Sequence, residues 1–149
     1  MISKLAKLRS LPPEERRLYY EAVWRLGLAR LAIACLPFRR VRMLLAARDE
    51  PEGEGERGQQ ETARRIGRCI RTAANHLPWS CRCLVQALAA KTMLDRRSIG
   101  SRVFIGVARD EARALRSHAW LCVGSMFVTG REGHEHYRVI TDFRPEHLQ

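Results

Sequence analysis

Two cysteines, Cys81 and Cys83, stand where the loop Trp79-Ser80 gives way to the apolar run Leu84-Val85-Gln86-Ala87-Leu88. About thirty-five residues further on comes Ser117-His118-Ala119-Trp120. A thiol at a helix start and an imidazole on a strand are the two movable parts of a cysteine nucleophile. The reactive species is the thiolate, and unpaired N–H groups in a first helical turn favour negative charge there. The same N–H groups can face the oxyanion that forms when an acyl carbon is attacked. The imidazole accepts the thiol proton and later returns it to the leaving amine. Cys83 directly precedes the apolar run and is expected in the first turn, whereas Cys81 is expected in the approaching loop. Trp120, two residues from His118 on the same strand face, could shield the pair from water. Cys35, Cys69 and Cys122 lie within apolar patterns and read as small buried hydrophobes.

The elements that must position these groups can be read from periodicity. Pro12-Pro13-Glu14-Glu15 opens a helix that runs to a stop near Pro37, its apolar residues recurring at three and four. A short helix over 39–47 follows. The acidic, glycine-bearing stretch Asp49 to Glu56 reads as a linker. A third helix spans 61–77, its arginines (64, 65, 68 and 71) covering the surface, and ends before Pro78. The helix that starts at Cys83 is apolar almost all round, which predicts a central element. Beyond Gly100 the pattern alternates: strands are expected over 102–107, 117–123, 126–129 and 137–143, with Gly124-Ser125 as a tight turn. His76, His134, His136 and His147 fall at an element end or in polar loops and are expected to be exposed. Helices followed by a meander of strands make an α+β fold with a central helix packed on an antiparallel sheet of about four strands. The expected organisation is an N-terminal helical extension (1–48), an acidic linker (49–58) and a core (59–149).

The chain has 149 residues, one domain's worth, and 27 Lys and Arg against 16 Asp and Glu give it a formal charge of +11. Residues 1–47 carry ten basic and three acidic side chains, a basic amphipathic helical pair suited to dock a partner or to touch a membrane peripherally. Nucleic acid is not expected, because the arginines follow helical spacing without interleaved exposed aromatics. Five cysteines cannot all pair within the chain, and no apolar run with a small-residue cleavage site follows the basic start. Free thiols in a reducing cytoplasm are therefore expected. Cys81-x-Cys83 lacks the spacing of a zinc site and no second pair matches it, so no metal or cofactor is expected.

Arg82-Cys83-Leu84-Val85-Gln86-Ala87-Leu88-Ala89, Phe104-Ile105-Gly106-Val107 and His118-Ala119-Trp120-Leu121, in that order, resemble the lasso-peptide biosynthesis proteases. These are the C-terminal domains of the microcin-processing B proteins, transglutaminase-like and papain-like cysteine proteases. The resemblance covers residues 60–145. It implies removal of the leader from a ribosomally made precursor, with Cys83 as nucleophile and His118 as general base and acid. It also implies a separate winged-helix leader-recognition protein and a lasso cyclase that uses ATP. The family's third residue is an aspartate just past the strand that follows the His-Ala-Trp strand. Pairing around Gly124-Ser125 puts residues 130 and 131 opposite His118, and Thr129-Gly130-Arg131 has no carboxylate. Glu132 is the nearest acid, Asp142 is the other candidate, and a backbone carbonyl could serve instead. Two further readings stay open on the residues alone: a non-catalytic basic module that binds a precursor or membrane, and an amidase or acyltransferase on the same fold.

Overall fold

The computed structural model describes residues 8–46 and 57–143. Its regular elements are α1 (Pro13–Cys35), α2 (Phe38–Leu45), α3 (Arg57–His76), α4 (Cys83–Asp95), β1 (Arg102–Arg109), β2 (Leu115–Val123), β3 (Met126–Thr129) and β4 (Arg138–Thr141), with a 3₁₀ turn at His134–His136. The fold is α+β, four helices with a four-stranded antiparallel sheet, as expected. The expected linker over 49–56 lies outside the described residues, but Arg57 and Gly58, assigned to it from the sequence, belong to α3.

Strand order is β3-β2-β1-β4. The first three strands form a meander and β4 returns to the far side of β1. The last strand is shorter than the expected 137–143 because the 3₁₀ turn takes up the chain before it. Ile105 pairs with Ala119 and Gly106 with His118. Alternation therefore puts Ser117, Ala119, Leu121 and Val123 on one face of β2 and His118, Trp120 and Cys122 on the other. Ala119, Leu121 and Val123 share a core with Ala87 and Leu88 of α4, so the first face is the one the helices cover.

That core also contains Leu18, Ala22, Leu26 and Ala29 of α1 and Val41 and Leu45 of α2. The helices expected as an extension are thus built into the same core, because α1 needs α3 and α4 to bury its inner face. Central placement of α4 follows from its all-round apolar sequence: Val85, Ala87 to Lys91, Met93 and Leu94 are buried. Lys91 is fully buried within it, and its Nζ donates to Asp95 Oδ1 at 3.1 Å, one turn on. None of the described helices is long and apolar enough to cross a membrane.

Glu21 of α1 ties to the turn after α4: Arg97 donates to both its carboxylate oxygens, at 3.2 and 2.7 Å. Those hydrogen bonds hold the Glu21 carboxyl below its ordinary pKa despite some desolvation. A carboxylate with a depressed folded-state pKa stabilises the protein above its unfolded pKa and ceases to do so as pH falls through the folded value.

Two outcomes are expected. Asp95→Ala, which strands the Lys91 ammonium, lowers unfolding free energy by about 3 kcal/mol in urea titrations, and the double variant Lys91→Met/Asp95→Ala recovers most of it. Glu21→Gln lowers stability at neutral pH by about 1 kcal/mol and flattens the loss that wild type shows below about pH 4, read by thermal melts across pH.

Candidate active site

Cys83 is the first residue of α4 and half-buried. The residue before it, Arg82, is extended (φ −66°, ψ 167°) and makes no side-chain cap. A guanidinium has no acceptor to offer, so the first-turn N–H groups stay uncapped and available to an anion. Two contacts hold the loop that delivers Cys83. Arg30 Nη1 of α1 donates to Ser80 O at 2.9 Å, and Gln86 Nε2 reaches back from the first turn of α4 to Cys81 O at 2.8 Å. The helix's own ladder begins with Gln86 N donating to Arg82 O at 3.1 Å.

Cys81 is in the approaching loop, and burial pushes its thiol pKa up against the partly offsetting Arg30 guanidinium. That environment disfavours the Cys81 thiolate, the nucleophilic form. Burial likewise raises the pKa of Cys69, and Cys122 is buried. Cys35, expected to be buried, is exposed: α1 carries apolar residues on both sides, and Cys35 falls on the outer one.

His118 is half-buried on β2. Its Nε2 lies 2.7 Å from Gly130 O. A carbonyl can only accept, so Nε2 carries the proton, and in the neutral ring Nδ1 holds the lone pair. Gly130 reaches this place because β3 bulges between the Leu121–Thr129 and Cys122–Phe127 pairs and because the residue adopts φ +73°. A Cβ at Gly130 would run into Ala119 O and come within 2.8 Å of Trp120 Cβ. The expected position opposite His118 is thus filled by a backbone carbonyl. The ring also packs 5.2 Å from the Tyr137 ring and 5.9 Å from that of Trp120, centroid to centroid. Trp120 stacks on Phe104 at 5.7 Å. His134, expected to be exposed, instead packs against Phe127 with ring centroids 4.5 Å apart, because the 3₁₀ turn folds back onto this face.

Glu132 is exposed and makes no hydrogen bond to His118, whose ring nitrogen is met by Gly130 O. Asp142 lines a groove of about 720 Å³ on the helix-covered side of the sheet, with Phe38, Leu84, Ile105, Ser117 and Ile140 among its walls. Leu84 adjoins Cys83, so the groove leads to the neighbourhood of the thiol, whereas Ser117 and its neighbour His118 face opposite ways. The thiol and the imidazole are not hydrogen-bonded to each other. His118 points to the opposite sheet face from the groove, at a level where β3 no longer pairs with β2 and Gly130 lies alongside instead. Sequence periodicity alone shows the alternation along β2 but not which face α4 covers. Among the described residues, no three His, Cys, Asp or Glu side chains gather to hold a metal.

A half-buried thiol at an uncapped helix start, above an antiparallel sheet that carries a tautomer-locked histidine, is an arrangement consistent with a transglutaminase-like domain. The family described as the transglutaminase-like superfamily matches residues 20–142, and the chain belongs to it. This superfamily includes cysteine peptidases, acyltransferases and amidases, and its fold is typically catalytic. The match begins within α1, in keeping with the single core. No curated protein and no solved structure matches the chain.

Timed alkylation with iodoacetamide at neutral pH, read by peptide mass spectrometry, is expected to modify Cys83 at least about tenfold faster than Cys81.

Proposed function

We propose that the chain is a cysteine peptidase that removes the leader from a lasso-peptide precursor, with Cys83 as nucleophile and His118 as base and then acid. The observation that carries this reading is the Nε2–Gly130 O hydrogen bond, which leaves Nδ1 as the basic nitrogen. The motifs around Cys83 and His118 supply the substrate class. His118 Nδ1 takes the Cys83 proton, and the sulfur attacks the carbonyl carbon of the scissile amide. The uncapped N–H groups of the first turn of α4 receive the oxyanion. Collapse expels the core peptide's amine, which takes its proton from the imidazolium. Water, deprotonated by the same imidazole, then hydrolyses the thioester and frees the leader as a carboxylic acid.

In this reading Gly130 O fills the place of the third member, and neither Glu132 nor Asp142 orients the ring. This chemistry requires Cys83 and His118, which are not hydrogen-bonded in the unliganded protein, to come together when a peptide binds. A separate winged-helix recognition protein presents the leader, and an ATP-using cyclase consumes the freed amine, all within the reducing cytoplasm.

Precursor cleavage followed by mass spectrometry tests this. Cys83→Ala is expected to abolish cleavage and His118→Ala to lower it at least about 10³-fold, while Cys81→Ala stays within a few-fold of wild type. Gly130→Ala is expected to lower kcat more than it raises KM. Cleavage that survives Cys83→Ala sinks the peptidase assignment, leaving a binding module. Thioester formation with small amides but not with the precursor would favour an amidase or acyltransferase. If alkylation of Cys83 shows the same pH dependence in wild type and His118→Ala, the two residues are not a pair.

A further inference from the structure

Helix α1 is apolar on two opposite sides. Leu18, Ala22, Leu26 and Ala29 are buried in the core. On the outer side Tyr20, Trp24 and Leu31 are 58%, 66% and 61% exposed, and Leu28 and Cys35 are exposed beside them. Isolated exposed apolar side chains are ordinary, but a continuous stripe four turns long, headed by a tryptophan, marks an interface.

Three features select the occupant. The stripe residues Tyr20, Trp24, Gly27, Leu31 and Ala34 alternate spacings of four and three, the seam along which one helix packs on another. Gly27 sits in the middle of that seam, where a Cβ would meet nothing within 4 Å. A mid-helix glycine costs about 1 kcal/mol relative to alanine, and no packing among the described residues requires it here. The missing side chain leaves room there for a partner helix to approach closely, which a bilayer does not need. The third feature is charge. Arg16 and Arg17, one turn before Tyr20, lie at the head of the stripe, whereas Glu21 is taken by Arg97 and Glu14 lies 3.9 Å from Arg65. A second copy, itself at +11, would bring like charge against like.

We infer that the outer face of α1 docks an amphipathic helix of a partner protein whose apolar seam is flanked by acidic side chains. This goes beyond the peptidase reading and stands whether or not Cys83 is catalytic. Trp24 supplies the readout, since Trp79 is half-buried and Trp120 buried.

The full chain is titrated with two designed helical peptides that share a leucine seam and differ only in glutamate or lysine flanks, following tryptophan emission. The glutamate peptide is expected to shift emission to the blue and to bind at least about tenfold tighter than the lysine peptide, the difference shrinking with salt. Leu31→Glu, an exposed substitution, is expected to weaken binding at least about tenfold with an unchanged thermal melt, and Arg17→Glu to narrow the preference between the peptides. Equal affinity for both peptides, or none for either, overturns the inference. So does a dimer in sedimentation equilibrium that Leu31→Glu dissolves, or phosphatidylglycerol vesicles displacing the bound glutamate peptide. Precursor cleavage by Leu31→Glu without any partner should match wild type, which separates this surface from the catalytic reading.

Discussion

The burial of α4 on every side is the constraint on which the rest depends. A helix enclosed by α1, α3 and the sheet has only its ends available for contact with solvent or substrate, and its first residue is Cys83. The same enclosure forces Lys91 to find its partner inside the helix, at Asp95. It also requires the approaching loop to be held from outside, which Arg30 and Gln86 do through backbone carbonyls at Ser80 and Cys81. A thiol in this position inherits a mount held by those two side chains, and N–H groups that the Arg82 side chain does not cap.

On the sheet, positioning is achieved by backbone geometry. The bulge in β3 and the left-handed conformation of Gly130 swing one carbonyl onto His118 Nε2. An acceptor-only partner selects the tautomer as surely as a carboxylate would, though it adds no negative charge to stabilise an imidazolium. Tyr137 and Trp120 then pack beside the ring and limit water around it. A membership in the transglutaminase-like superfamily is compatible with several acyl-transfer chemistries, so the substrate class rests on the motifs and the groove rather than on the fold.

Much of the fold was legible because it is written in local periodicity. The helical starts at Pro13 and Cys83, the stop before Pro78 and the Gly124-Ser125 turn each depend on neighbours in sequence. Less legible was α1. Its two apolar sides read as one broad buried face, yet the core covers only one of them, so Trp24 and Cys35 are outside. The place of His134 was missed for a related reason: a polar loop predicts exposure, and only the fold-back of the 3₁₀ turn onto Phe127 reverses it.

By itself the sequence determined which thiol opens the central helix, because a helix start is a local event set by the Leu84–Leu88 run and the loop before it. It also determined that His118 and Trp120 share a strand face, because side-chain alternation is a property of any strand. Only the tertiary structure decided which face that is, and what meets the imidazole there. Both depend on where α4 lies across the sheet and on a bulge that shifts β3 past β2, relations between residues distant in the chain for which periodicity carries no signal. Of the partners the sequence left open for the imidazole (Glu132, Asp142 or a backbone carbonyl), the hydrogen bond seen on Nε2 is to Gly130 O, which no side-chain pattern displays.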